Sequence, residues 1–461
     1  MASKSFDYDL VVIGSGAGGS IAADIMADNK WKVAIVEHDI YGGEVANWSS
    51  VPMQALLRAA DVYDISKNHG PALGLRSGAI GYNYPSVHAW KNTAMRRSGV
   101  ANTERYYQNK GISALHGTAR FIGPHEISID QRQIKSKYFL IATGAQPADG
   151  AVVGIDKTPH LTPRAALDLV RPPKTLFIIG GGPTGCEFAE LFSVFGTKVY
   201  IADEASRLLP KEDIEASELI ETQFKSRRGM SVLPRSKVIR IAREGIMTRV
   251  TYISGSEEKS VKVDQVLLAA GRMPMVDLGL ENAHVEFSVH GVETNEFLET
   301  SRRGIYAAGD VLGRFSYAHT GVYESRVVAN NLLHPKRRLE PDYSAVPRVT
   351  HATTEIASVG MSEADCLKRD LSIQVGFAPI HIIARANIDN IRDGFVKVIT
   401  DKKGMLIGAT IAAPHAGESI HELTLAIQYS LTAAEVASTL HAFPSWSEAI
   451  RVACGNIRIK K

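Results

Sequence analysis

The feature that most constrains this chain is a segment that occurs twice. Residues 7–13 form an apolar run of strand length that breaks into Gly14-Ser15-Gly16-Ala17-Gly18-Gly19, a G-x-G-x-x-G at Gly14, Gly16 and Gly19. An Ala-rich helical stretch (20–27) follows, then a second apolar run, 33–36, ending on Glu37. Residues 175–179 lead likewise into Gly180-Gly181-Gly182-Pro183-Thr184-Gly185, a helical stretch through Leu191, and a run at 199–202 ending on Asp203. The acid stands 23 residues beyond the first glycine in both copies (14 to 37, 180 to 203). Such a strand, glycine turn, helix and acid bring a backbone close to a pyrophosphate, offer helix N–H groups to it, and let the acid accept hydrogen bonds from a ribose diol. Two copies predict two dinucleotides, an arrangement most useful if one passes electrons to the other.

Composition leaves room for this. The 461 residues, 45% hydrophobic and 22% charged, predict two or three domains with real cores rather than a disordered or collagen-like chain. A balance of 52 basic and 49 acidic residues is too even to make nucleic acid or an anionic membrane the expected partner. Cys186, Cys366 and Cys454 lie far apart, with no C-x-x-C and no metal-like spacing to histidine, so no metal site is expected and a reducing compartment fits. No apolar run approaches the roughly eighteen residues of a membrane span, and the opening residues make poor signal-peptide material. The expectation is a soluble cytoplasmic protein.

Further strands ending in glycine are expected at 138–144, 266–272 and 304–310. The basic, Pro-containing stretch 333–338 reads as a linker. Beyond it, strand-like runs at 394–399 and 405–412 precede two helical stretches and suggest a separate α+β domain.

These motifs, taken in order, resemble the FAD-dependent pyridine nucleotide–disulfide oxidoreductases, a family that includes lipoamide dehydrogenase, mercuric reductase and soluble pyridine nucleotide transhydrogenase. The resemblance rests on the first turn with Glu37, Ala142-Thr143-Gly144, the second turn with Glu187, and Ala270-Gly271-Arg272-Met273-Pro274. It continues through Tyr306-Ala307-Ala308-Gly309-Asp310, Ala318-His319, Ser358-Val359-Gly360-Met361-Ser362-Glu363 and Phe443-Pro444-Ser445-Trp446-Ser447-Glu448. It implies an α/β fold with two Rossmann-like dinucleotide-binding domains and a C-terminal α+β dimerisation domain. Residues 1–150 and 272–335 would bind FAD, 151–271 NAD(P)H, and 336–461 would form the homodimer interface. FAD would be held by Gly14, Gly16, Gly19, Glu37, Gly43, Gly117, Thr143, Gly144, Asp310, Ala318 and His319. NAD(P)H would be held by Gly180, Gly182, Gly185, Glu187, Asp203, Gly271 and Arg272.

Departures from the family pattern carry the functional reading. Disulfide-type members show a segment resembling G-G-T-C-x-N-x-G-C-x-P-S-K. Here Gly42, Gly43, Asn47 and Pro52 keep that frame, but Val45 and Ser50 occupy the cysteine positions. Phe443 stands where a proton-shuttling histidine would be, and His441 is a poor substitute because a displaced side chain rarely recovers proton-transfer geometry. Gln54 replaces a lysine that would pair with Glu187 beside the flavin, so Glu187 should hydrogen-bond Gln54 or take up a proton. Loss of that cation should lower the flavin potential, and Gln54→Lys is expected to raise the measured midpoint.

Dithiol reduction is therefore not expected. The reading is a flavoprotein that oxidises NADH and reduces a small non-disulfide acceptor: a quinone, a dye or a second nicotinamide nucleotide. Trp48, Ala384-Arg385-Ala386 and residues 448–453 look similar to the transhydrogenase branch, which makes that activity one alternative. Asp203 would repel the 2′-phosphate of NADPH, so NADH is favoured, and Arg207 is the nearby cation that could offset the repulsion. A nucleotide-binding sensor or assembly protein without turnover is the other alternative.

Overall fold

The computed structural model describes residues 5–76, 78–98, 103–148, 150, 152–227 and 229–459. Contacts divide the chain into two compact units. The first gathers Met1–Ala55, Ala89–Ala148 and Gly271–Asp342; the second gathers Leu56–His88, Asp149–Ala270 and Tyr343–Lys461.

In the first unit, Tyr8–Ile13 pairs in parallel with Val33–Glu37 on one side and Arg132–Ile141 on the other. Ser113–His116 extends the parallel sheet beyond Val33–Glu37, and Ile305–Ala307 pairs with Arg132–Ile141. Leu10, Val11, Val12, Ala34 and Ile35 are wholly buried. This continuous apolar run is what a parallel strand covered on both faces requires. Arg132–Ile141 starts six residues before the expected strand at 138, because its first half alternates exposed and buried positions and pairs antiparallel with Glu126–Ile129.

The helix Ala17–Asp28 packs against the helix Ala318–Leu333 where glycines let backbones meet. A Cβ on Gly18 would stand 2.7 Å from the carbonyl oxygen of Ala308, and one on Gly321 would stand 3.3 Å from the nitrogen of Gly18. Ser325 Oγ accepts the N–H of Ala22 at 2.9 Å, and buried Glu324 accepts that of Gly309 at 2.6 Å.

In the second unit, a four-stranded parallel sheet runs Met230–Leu233, Lys198–Ala202, Thr175–Ile179, Gln265–Leu268. A three-stranded antiparallel sheet (Ser236–Glu244, Met247–Ser254, Glu257–Val263) accompanies it. The C-terminal region is a six-stranded antiparallel sheet with Ala416–Gln428 and Glu448–Gly455 packed on it. The strand expected at 266–272 ends at Leu268. Gly271, at φ +132°, breaks the run, and Arg272–Pro274 pairs instead with Ala145–Pro147 in the first unit.

Buried Lys397 ties the C-terminal sheet to the start of the helix Ile214–Ser226 within the second unit. Its Nζ lies 2.9 Å from Glu215, 2.6 Å from Glu363 and 3.6 Å from Asp213. Thr410 Oγ1 donates to Asp213 at 3.0 Å, and Arg348 Nε donates to Glu212 at 3.2 Å. Among the described residues no helix is long and apolar enough to cross a membrane, and no group of three or more His, Cys, Asp or Glu could hold a metal ion.

Candidate functional site

At the first turn, Gly14 adopts φ +103°, and a Cβ there would stand 2.2 Å from the carbonyl oxygen of Ala142. Gly16 caps the helix Ala17–Asp28 with no side-chain hydrogen bond. Gly43 lies so close that its Cβ would come within 2.7 Å of Gly16 Cα. Glu37 Oε2 accepts the N–H of Ser15 at 3.1 Å and its hydroxyl at 2.7 Å. Its Oε1 accepts the N–H groups of His38 and Asp39, both at 2.9 Å. Burial opposes ionisation, but hydrogen bonds from His38, Ser15 and Asp39 outweigh it and hold the carboxylate down at about 2.

The remaining first-unit residues arrange around this frame. Gly117 donates its N–H to the carbonyl of Glu37 at 2.9 Å. Thr143 donates to the carbonyl of Met275 at 2.7 Å, and Gly144 accepts from the nitrogen of Met275 at 3.0 Å. Asp310 pairs with Arg272 Nε at 3.3 Å. Burial raises its carboxyl, with the guanidinium opposing. Ala318 begins the helix Ala318–Leu333, where exposed His319 stacks on Tyr317 at 5.4 Å. Next to it, Thr320 Oγ1 is buried without a hydrogen-bond partner among the described residues. An uncapped glycine turn, a close glycine pair and this orphaned hydroxyl fit a large polar cofactor such as FAD.

The second turn repeats the backbone solution. Gly180 adopts φ +113°, with a Cβ position 2.4 Å from the carbonyl oxygen of Ala269. Gly182 caps Pro183–Val194 without a side chain, and a Cβ on Gly185 would stand 1.9 Å from the carbonyl oxygen of Gly180. Asp203 accepts the N–H of Gly181 at 2.6 Å and that of Ala205 at 2.7 Å. Arg207 faces elsewhere, donating to Ser217, to the carbonyl of Pro210 and to that of Glu212. Cys186 is wholly buried, with its thiol directed at the carbonyl of Gly181 and pushed well up by burial.

Two groupings were not legible beforehand. Arg272, which the resemblance assigned to the second nucleotide, directs its guanidinium at Glu44 (3.3 Å) and Asp310 in the first unit. Glu187, the residue that follows Pro183-Thr184-Gly185-Cys186, accepts the N–H of His351 at 3.0 Å. Burial pushes its carboxyl up to about 7, against the opposing effects of the His351 N–H and ring charge.

The departures from the family pattern also have places. Val45 lies on the short helix Gly43–Asn47 and Ser50 opens the helix Ser50–Asp64. The three cysteines are free and buried. Phe443 is 74% exposed, and His441 has both ring nitrogens engaged, with the Thr439 carbonyl and with Glu422, each at 2.8 Å. Glu448 Oε2 is buried with no hydrogen-bond partner among the described residues.

The sequence profile of the pyridine nucleotide-disulphide oxidoreductases matches residues 8–325, and the profile of their dimerisation domain matches residues 346–454. The chain belongs to this family. Members bind FAD and NAD(P), and the C-terminal sheet is the family's dimerisation domain. Mercuric reductase of Staphylococcus aureus is 31% identical over 454 residues, covering 98% of this chain and 82% of its own. Dihydrolipoyl dehydrogenase of Chlamydia pneumoniae is also 31% identical, over 96% of this chain and 95% of its own. Among solved structures, the HOCl-induced flavoprotein disulfide reductase RclA from Escherichia coli superposes with a TM-score of 0.86 at 27% identity, covering 97% of this chain and 99% of that one.

Proposed function

We propose that this oxidoreductase takes electrons from NADH and delivers them to a small non-disulfide acceptor of the quinone, dye or nicotinamide type. The observation that carries the reading is the position of sulfur. The three thiols are buried and free, and none lies on Gly43–Asn47 or Ser50–Asp64, where Val45 and Ser50 stand. Valine has no redox chemistry, and a serine hydroxyl forms no disulfide. His441, with both ring nitrogens engaged, offers no free nitrogen as a proton shuttle.

FAD, when bound, supplies hydride acceptance and storage of the electron pair. Residues 1–150 and 272–335 would hold it through the first turn, Glu37, Gly43, Gly117, Thr143, Gly144, Asp310, Ala318 and His319. Residues 151–271 would hold NADH, with pyrophosphate at Gly180, Gly182 and Gly185 and nicotinamide at Glu187. Residues 336–461 would join two copies in the cytoplasm. Asp203 presents a carboxylate to the adenosine ribose, and Arg207 is committed elsewhere, which supports NADH over NADPH and weighs against transhydrogenation.

The experiment is a panel on FAD-loaded protein under anaerobic conditions. NADH is expected to bleach the yellow flavin within seconds, and quinone to restore the colour. Lipoamide turnover would overturn the reading. A flavin that NADH leaves yellow would favour the alternative of a non-catalytic nucleotide-binding protein.

A further inference from the structure

Among the described residues, no lysine or arginine pairs with the carboxyl group of Glu187. Within its unit it accepts one hydrogen bond, from the peptide N–H of His351, and the charge that reaches it is that of the His351 ring. That ring stands 3.4 Å from Glu355 Oε1, and Glu355 Oε2 accepts the N–H of Gly417 at 2.9 Å. One residue thus supplies the hydrogen bond that orients Glu187 and, when its ring is protonated, a nearby positive charge. The other ionisable groups around this trio are Cys186 and Glu190 on the helix of Glu187 itself, and His415 and Glu418 at the start of Ala416–Gln428. Glu190 is already paired with Arg227 and Thr353.

A carboxyl so placed is poised between its two protonation states. Burial favours the neutral acid, whereas the peptide N–H of His351 and, more weakly, its ring charge favour the carboxylate. A third charge entering the site decides the balance. Nicotinamide brings one in only one of its forms: the oxidised ring is cationic and the reduced ring is neutral.

We propose that His351 is a positioning residue that sets the charge of Glu187, and that through it the site distinguishes the two nicotinamide forms. NAD+ is held by the ionised carboxylate and binds with release of one proton from Glu187 to solvent, whereas the reduced form binds with none released. The inference rests on the reading above that the turn at 180–185 takes the dinucleotide with its nicotinamide at Glu187. Its consequence is that acid weakens the hold on product without weakening the hold on substrate.

The test is calorimetric titration of FAD-loaded protein with NAD+ and with a hydride-inert reduced analogue of NADH, in buffers of differing ionisation enthalpy. NAD+ binding is expected to release about one proton where Glu187 is protonated, and its Kd to rise about tenfold for each pH unit below the Glu187 midpoint. The analogue should show neither effect. His351→Gln keeps the peptide N–H and removes the charge, so the midpoint should move to higher pH and NAD+ should bind several-fold more weakly at neutrality. Glu355→Gln, which removes the anion supporting the His351 charge, should move it the same way by less. Glu187→Gln should abolish the pH dependence. Equal proton release with both nucleotides, or an unmoved midpoint in both His351→Gln and Glu355→Gln, would overturn the proposal. Tight NAD+ binding without proton release sinks this inference alone. Failure of both nucleotides to bind sinks the functional reading with it.

Discussion

The two glycine turns solve one backbone problem twice and dress it differently. In each, the leading glycine donates its N–H to the last strand residue but one or the last, Gly14 to Val36 and Gly180 to Ala202, both at 2.8 Å. In each, the next residue donates its N–H to the acid, Ser15 to Glu37 and Gly181 to Asp203. The side chains then diverge. Among the described residues Glu37 accepts three backbone N–H groups and the Ser15 hydroxyl and has the His38 ring 3.2 Å away, while Asp203 accepts two backbone N–H groups. The Ser15 hydroxyl also accepts the N–H of Gly42 at 2.9 Å, fastening the turn to the segment that carries Gly43, whereas Gly181 has no side chain to do so. A Cβ on Gly182 would meet nothing within 4 Å and one on its counterpart Gly16 would touch Gly43 Cα at 3.8 Å; Gly18 is walled by Ala308, Gly309 and Gly321, whereas Thr184 at the matching place is exposed. The first turn is braced from several sides and the second is left open, as suits a group that stays and a group that comes and goes.

Four substitutions would break or sharpen this contrast. The largest effect is expected from Gly19→Ala, whose added Cβ would stand 2.1 Å from the carbonyl oxygen of Gly14 and 2.8 Å from Val12. Backbone cannot yield there cheaply, so a loss of about 3 kcal/mol in stability and loss of bound flavin are expected, read by thermal unfolding and flavin content per chain. Second is Glu37→Gln. The Glu37 carboxylate, depressed from 4.5 to about 2, adds stability that is fully present above the unfolded value and disappears as pH falls from 4.5 toward 2. At most about 3 kcal/mol is involved, and the variant should lose it at neutral pH while its urea midpoint changes less between pH 7 and 3.

Third, Asp203→Ser should leave stability nearly intact and shift the ratio of kcat/KM for NADH over NADPH by on the order of tenfold toward NADPH, about 1.4 kcal/mol. An unchanged ratio would remove Asp203 from the ribose site. The smallest structural effect belongs to Gly182→Ala. At φ −74° with open space around it, alanine fits, and a stability change within about 0.5 kcal/mol is expected. NADH binding should nevertheless weaken, because the methyl group occupies the approach to the uncapped helix. Destabilisation by Gly182→Ala as large as that by Gly19→Ala would show that the approach to the second helix is not open.

Much of this was legible in the sequence because it is local. Glycine spacing, an apolar run before it and an acid after it all lie within some thirty residues, and the chain geometry of a parallel strand pair fixes what they do. The α/β class and the family followed from that pattern and were borne out by the profiles and the fold. The expected strand at 304–310 shrank to Ile305–Ala307, because Gly309 at φ +83° turns the chain before Asp310. Contacts that no spacing announces were missed. His351 meets Glu187 from 164 residues away, and Arg272 meets Glu44 from 228 residues away. Each depends on where tertiary packing delivers a loop, and neither residue type is unusual enough to flag its role.

The pairing of Gly18 with Gly309 and Gly321 bears on how the molecule is made. A ribosome produces the first turn and its acid almost at once, yet the backbone that seals the far side of that turn is still some 290 residues away, an interval fixed by residues 18 and 309. Until the helix carrying Ser325 emerges, the amide of Ala22 lacks the hydroxyl that meets it in the finished protein. The earlier-made side of this contact is therefore among the last to close, and a nascent chain cut short before Ala318 would carry the signature of the site without its back wall.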